Sequence, residues 1–565
     1  MLSLKRLTWI VLITLGINFI FISINLREIA RKEVLVENTQ YHMQSMVESD
    51  LQDVGQPFQF VLVTSSKANK IFQNLSYLFD NWKVSYETTQ LLEEYDESYQ
   101  KIYIFCDDQL LPNTGLEQIT TYVKSGGKVV LAAGIAEGNK ESYLFPMLGI
   151  VEKANKLASS RLQLADDFLP FQESEMKYDG FNASTWIKLQ DTANVYVSNA
   201  ETGEPVVYSY PYGRGSALVV NGTLLEDKSC LGLFVGLLSN EIEGFSYPVM
   251  NAETVFLDNF PVVTYVKDEV SMKLFGRKTD DFVENVVWPE FLRIAFRNEL
   301  KYTSSVLTMG KGETYFKNIE DSLFYTMGNS ALKYGGELIG AADYSHEGDF
   351  ILNHNFYENF ERFFPQYRMY SLAIMNGKYI AENNKQEDIK VIRGYKYGDQ
   401  DTMFITDMGL EDGVYHYPVI TEGLMLDDGN LFKIAMEVAT NGTFSHRIDI
   451  NTMICDEQEN NVWDEAKYLL SDLEEKVISK ISWMDSVTLS ETANLMEGYF
   501  NLKYDYQVKE DHITIQSELF RPGQCFYINT KKEITNAKGA EYKKINSRYY
   551  LVRILEPVVT LELTK

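Results

Sequence analysis

Three stretches of this 565-residue chain carry residue types able to do acid–base or metal chemistry. The first is Thr254-Val255-Phe256-Leu257-Asp258-Asn259-Phe260-Pro261, a hydrophobic run that reads as a strand and stops at a carboxylate and an amide. The second is Gly335-Gly336-Glu337-Leu338-Ile339-Gly340-Ala341-Ala342-Asp343-Tyr344-Ser345-His346, and oxygen and imidazole groups continue beyond it to Asp349 and His354. The third is Gly442-Thr443-Phe444-Ser445-His446-Arg447-Ile448-Asp449. Carboxylates and imidazoles exchange protons near neutral pH and ligate divalent metals, so these are the places to look for a reaction. His416, in Val414-Tyr415-His416-Tyr417-Pro418, is a further candidate for the same cleft. Each also has a plain structural reading. Asp258 and Asn259 before Pro261 suit a turn, because both side chains bond nearby backbone. His446 suits a satisfied barrel wall, and Asp343, Asp349 and His354 suit a solvated loop. The order strand-Asp, Gly-rich loop-His, Ser-His favours one shared site, since barrel enzymes carry catalytic groups at the carboxyl ends of their strands.

The elements that must hold these residues follow from hydrophobic patterning. Phe58 to Val63, Lys101 to Phe105 and Lys128 to Leu131 read as strands, alternating with helical stretches around Ile71 to Asn81 and Gly115 to Ser125. That alternation predicts a parallel α/β sheet. Tyr212-Gly213-Arg214-Gly215 is a turn entering another buried strand, and residues 57–245 form this first domain. Residues 246–500 again mix short strands with amphipathic helices over a length sufficient for a barrel. The last segment, 501–565, holds β-prone runs such as His512 to Gln516, Cys525 to Ile528 and Val558 to Leu563, which predict a small antiparallel sandwich.

The pieces resemble known families at two levels. The first domain resembles the flavodoxin-like or class I glutamine amidotransferase-like fold. The small-residue turn where such an amidotransferase carries its cysteine reads Leu131-Ala132-Ala133-Gly134 here, and the domain contains no His, so it is expected to be non-catalytic. Cys106, at a strand end, reads as a buried thiol. Residues 57–500 together resemble an uncharacterised bacterial family that joins an amidotransferase-like domain to a PelA/NodB-like polysaccharide deacetylase domain. The resemblance implies amide hydrolysis through a metal-bound water. Asp258 is then the general base and His446 the general acid. Asn259 takes the place of the metal-binding Asp, Ala342 takes the place of the first metal His, and His346 is the His that remains. Asn brings no charge and Ala cannot coordinate, so a divalent metal such as zinc is expected only in weakened form. Asp343, His354 or Asp349 is the neighbour that could repair the metal set.

The fold class expected is therefore α/β: an N-terminal transmembrane helix, a flavodoxin/class I amidotransferase-like α/β domain, a NodB-like (β/α) barrel and a small C-terminal β-sandwich. The membrane segment is Leu7 to Leu26, twenty uncharged positions. At ~1.5 Å per residue they span about 30 Å, the hydrocarbon thickness of a bilayer. Lys5 and Arg6 lie in the cytoplasmic tip, residues 1–6, and residues 27–56 form a polar stalk. The remaining domains are placed outside the cell membrane. With 52 basic against 80 acidic side chains the formal charge is −28, which argues against nucleic acid as a partner because counterion release needs clustered cations. Four Cys, far apart, supply neither a disulfide framework nor a zinc knuckle. Three functions fit. The first is a single-pass envelope protein whose deacetylase-like domain binds an exopolysaccharide, another glycan or a membrane subunit of a polysaccharide synthesis system. The second is an active N-deacetylase with a remodelled metal site, and the third a structural surface protein.

Overall fold

The computed structural model describes residues 45–49, 56–90, 95, 98–107, 115–135, 141–261, 266–308, 321–343, 360, 362–365, 367–376, 389–394, 408–455 and 460–564. The membrane helix expected at 7–26 lies outside the described residues, as does most of the expected stalk. Among the described residues no helix is long and apolar enough to cross a membrane.

The first described strand, β1 (Val47–Glu48), belongs to the far end of the chain and is taken up below. The first domain holds β2 (Gln59–Val63), β3 (Tyr86–Thr89), β4 (Lys101–Phe105), β5 (Lys128–Leu131), β6 (Ile150–Leu164), β7 (Glu175–Leu189), β8 (Asn194–Asn199), β9 (Pro205–Tyr212) and β10 (Gly215–Val220). They form one nine-stranded sheet in the order β3-β2-β4-β5-β10-β9-β8-β6-β7. The first five in that order are parallel, and β9, β8, β6 and β7 extend the sheet antiparallel. Phe60, Leu62, Ile102, Ile104, Val130 and Leu218 pack on one face in the core shared by helices α1 (Lys70–Trp82) and α3 (Leu231–Glu241). Val61, Val63, Tyr103, Phe105, Val129 and Val219 pack on the other with α2 (Leu116–Ser125). Covering both faces is why these strands are almost continuously hydrophobic instead of alternating. Gly213 (φ 66°) turns β9 into β10 hard against the Lys124 backbone, where a side chain has no room.

The second domain is a curled parallel sheet. Its strands are β12 (Ala252–Asp258), β13 (Tyr302–Thr308), β14 (Glu337–Asp343), β15 (Ser371–Asn376), β16 (Val391–Gly394), β18 (Val414–Pro418), β19 (Thr421–Glu422) and β20 (Thr443–Asp449), with β17 (Gly409–Glu411) antiparallel to β18 and β21 (Asp485–Ser486) beside β12. The ladder runs β18-β16-β15-β14-β13-β12-β20-β19. Its two ends fall on the single stretch 414–422, which pairs with β16 through β18 and with β20 through β19. The sheet therefore curls around on itself as a barrel-like body. Helices α4 (Trp288–Arg297), α5 (Asp321–Lys333) and α6 (Asp428–Asn441) flank it. α6 is buried on nearly every side because it rests on β20 and also against α3 and β7 of the first domain. α7 (Leu489–Asn501) plugs the amino end of the barrel: Leu489, Ala493 and Met496 enter the interior cluster with Phe256, Ile339, Ala373 and Val391.

The chain closes in a sandwich of β22 (Lys503–Val508), β23 (His512–Phe520), β24 (Cys525–Asn529), β25 (Ile534–Lys538), β26 (Ala540–Lys544), β27 (Tyr549–Ile554) and β28 (Val558–Leu563). Its two sheets share one core, in which Ile513, Ile515 and Leu561 meet Phe526, Ile528 and Val552. Two strands join from outside 501–565. β1, from the expected stalk, pairs with β23, and β11 (Phe245–Val249), at the expected barrel boundary, pairs with β24. The sandwich is thus built from three separate parts of the sequence, which short local patterns could not reveal.

Candidate functional site: the barrel mouth

Asp258 is the last residue of β12 and is fully buried. Alternation along β12 puts it on the interior face with Phe256, while Val255 and Leu257 face the flanking core. The β12–β13 register sets Leu257 beside Ser304, so Ser305 follows next to Asp258 and donates its hydroxyl to Oδ1 at 2.5 Å. Arg393, near the end of β16, reaches across the interior. Its Nη1 lies 2.8 Å from Oδ1 and its Nη2 donates to Oδ2 at 3.0 Å, the forked approach that suits a carboxylate. Its guanidinium lies over the Phe256 ring at 4.8 Å and is 1% exposed, so this charge has left water altogether. Arg447 on β20 stands level with Phe256 and donates from Nη1 to Oδ2 at 3.1 Å, while its Nη2 pairs with Glu422 at 2.8 Å.

Three side chains therefore converge on its two oxygens, Ser305 and Arg393 on Oδ1 and Arg393 and Arg447 on Oδ2. Burial alone raises the Asp258 pKa, but Arg393, Arg447 and Ser305 together outweigh it and hold the carboxyl below the usual range. Two guanidiniums are balanced by the Asp258 and Glu422 carboxylates. The residues do not fit a divalent cation at Asp258: both oxygens are occupied, and a metal there would face two positive side chains. Among the described residues, no group of three or more His, Cys, Asp or Glu is placed to hold one elsewhere.

The sequence candidates divide sharply. His446 is not in the cleft with Asp258. It stands level with Val255, so it points to the opposite face of the sheet, between Phe444 and Ile448 of the flanking core. It is fully buried, stacks on Phe444 and sets Nδ1 2.9 Å from Thr421 Oγ1. Burial, with a smaller push from Arg447, lowers its pKa to about 4. A neutral imidazole sealed on the far face cannot hand a proton to a group bound over Asp258. His416 stands level with Ile392, again on the flanking face, with Nε2 3.8 Å from Glu411. Asn259 is buried in the left-handed region (φ 59°), and Phe260 N then bonds Ser305 O at 3.1 Å, so Asn259 forms the turn that ends β12. Asp343 ends β14, level with Asn376, and its side chain lies outside the described residues. His346 lies outside them too, along with the segments that leave the carboxyl ends of β13, β14, β15 and β16.

Arg393, Arg447, Ser305 and Glu422 were missed by sequence reasoning. Two signals were present. Arg393 is a lone charge inside Val391-Ile392-Arg393-Gly394, and Arg447 directly follows His446, so strand alternation allows only one of the two to face the interior. In the first domain, Asn69, Asp107, Lys156 and Glu226 line a cleft of about 170 Å³ over the carboxyl ends of β2, β4 and β10. Cys106 is sealed beneath it, and burial pushes its thiol far up, which rules out a reactive thiolate.

Comparison with solved structures gives partial likenesses. A β-galactosidase from Bacillus circulans sp. alkalophilus is 15% identical over 33% of this chain and 31% of its own, with a TM-score of 0.24. The α-L-fucosidase isoenzyme 2 from Paenibacillus thiaminolyticus is 15% identical over 39% and 36%, with a TM-score of 0.27. A cytoplasmic protein from Salmonella typhimurium is 13% identical over 33% of this chain and 98% of its own, with a TM-score of 0.24. The chain spans about a third of the length of the glycosidases it matches. No curated protein matches. One family model matches residues 15–343 and 384–551, which is most of the sequence. The chain belongs to that family, DUF2194, described as an uncharacterised protein conserved in bacteria.

Proposed function

We propose that this is a membrane-anchored, extracytoplasmic protein of an exopolysaccharide or cell-envelope glycan system, whose barrel-like domain binds glycan or a partner without hydrolysing it. The anchor reading rests on the uncharged run Leu7 to Leu26, and the glycan reading on the resemblance of the ordered motifs to polysaccharide deacetylases. The absence of turnover rests on one observation: Asp258 is held in ion pairs and hydrogen bonds by Arg393, Arg447 and Ser305. A carboxylate with its oxygens filled and its pKa depressed is a poor base, because it gains little from taking a proton.

The experiment is acetate release by the full chain from an N-acetylated glucosamine oligosaccharide with zinc present, alongside binding of the same oligosaccharide. The reading predicts binding and no acetate above blank. Acetate release that disappears in Asp258→Asn would overturn it and restore the deacetylase reading.

A further inference from the structure

The opposite end of the barrel carries a second recess, larger than the mouth cleft of the first domain. A cavity of about 610 Å³ opens where the amino ends of β14 and β15, one face of α7 and the sandwich turn Arg521–Cys525 come together. Ligand pockets are typically ~300–1,000 Å³ and favour junctions between domains, and this one has walls from two.

Its charges are uneven. Glu337 and Glu491 are the acids of the lining, while Lys301, Arg368, Arg521 and Arg553 are the cations. Glu337 is already used: Ser371 Oγ donates to it at 2.6 Å, Ser490 N at 3.0 Å and Thr303 Oγ1 at 3.2 Å. Lys301 pairs with Glu491, Arg521 with Glu497 and Arg553 with Asp485. Arg368 is exposed and has no ion-pair partner among the described residues. With Glu491, Glu497 and Asp485 neutralising the other three cations, Arg368 is the positive charge of the recess left without an ion-pair partner among the described residues. Tyr370 beside Arg368 adds an aromatic wall, and the Thr488 and Gln524 side chains on the lining add neutral polar groups.

We infer that this cavity binds a small hydroxylated organic anion, up to about disaccharide size, whose carboxylate or phosphate is received by Arg368. An anionic sugar acid and a sugar phosphate share that chemistry. The inference does not depend on what the Asp258 end of the barrel does.

The test is calorimetric titration of the full chain with digalacturonate, with glucose 1-phosphate, and with neutral lactose as the uncharged control. Saturable binding of at least one anion, weakened roughly tenfold or more by Arg368→Glu, is the expected result, as loss of a charge-assisted contact requires. The two anions tell a carboxylate ligand from a phosphate ligand. Leu495→Trp, which fills the recess from α7, should abolish the same binding. Lactose binding as tight as either anion, equal affinity in Arg368→Glu, or no heat from either anion at about 10 mM, the weak limit for a small ligand, would overturn the inference.

Discussion

Asp258 and Glu337 are both buried carboxylates of one curled sheet, at its opposite ends, and their surroundings drive them in opposite directions. Asp258 is met by two guanidiniums and a hydroxyl, and its pKa falls despite full burial. Glu337 is met by neutral donors, the Ser371 and Thr303 hydroxyls and the Ser490 N–H, and desolvation wins, so its pKa rises. The difference teaches that burial does not decide the charge of a carboxylate here; the formal charge of its partners does. It also separates two jobs. Glu337 closes the amino end of the barrel by receiving the first turn of α7, a neutral structural task. Asp258 holds two arginines at the mouth, where an acid would otherwise be free to react.

The largest effect should come from removing the charge at Asp258. Asp258→Asn leaves the buried Arg393 without its counter-ion, and breaking one side of a buried pair costs about 3–5 kcal/mol. Denaturant unfolding should show that loss, and the double change Asp258→Leu with Arg393→Met should recover much of it. A double variant no more stable than Asp258→Asn would mean that the pair itself, and not the stranded cation, carries the stability. Glu337→Ala should cost less, about 1–3 kcal/mol for the donors it strands. Glu337→Gln should be milder still, because a neutral acceptor serves neutral donors; a loss as large as that of Asp258→Asn would erase the contrast.

The pH dependence sharpens the same comparison. A depressed carboxyl contributes stability above its unfolded pKa and loses it as pH falls through the folded value, so acid weakens the Asp258 lock. A raised carboxyl does the reverse: its penalty is absent at low pH and grows as pH rises towards the folded value. Glu253, on the flanking face of β12, is the clearest such case, since burial alone lifts it to about 8. The stability difference between Glu253→Gln and the native chain should therefore grow in the variant's favour as pH rises from about 4.5 to about 8, read from unfolding free energies across that range. His446 adds an acid-side loss between its unfolded value, near 6.5, and about 4, because the unfolded imidazole takes a proton that the buried one refuses. Replacing it with Phe should flatten that limb. The smallest effect belongs to Glu422→Gln, at the exposed rim of the cluster, where an ion pair with one partly exposed side is worth about 0–1 kcal/mol.

Much of the secondary structure was legible. Phe58 to Val63, Lys101 to Phe105 and Lys128 to Leu131 announce buried strands because both faces of their sheet are covered, and Gly213 announces its turn. The partners of short strands were not legible: Val47–Glu48 and Phe245–Val249 join the sandwich through pairings hundreds of residues apart in sequence. The site was half legible. Asp258 is marked by ending a hydrophobic run. Its electrostatic setting was hidden, because Arg393 arrives from a strand across the barrel and no local spacing records that. The Ser445-His446-Arg447 motif drew attention to its imidazole, whereas strand alternation turns His446 away and delivers Arg447 to the carboxylate.

The central claim is that arginines, and not a metal, occupy Asp258. A crystal structure of the protein soaked with zinc tests it most directly. The account predicts Arg393 Nη1 still about 2.8 Å from Asp258 Oδ1, with no metal between them. Zinc at ~2.0–2.2 Å from an Asp258 oxygen, with Arg393 swung out of the way, would contradict it.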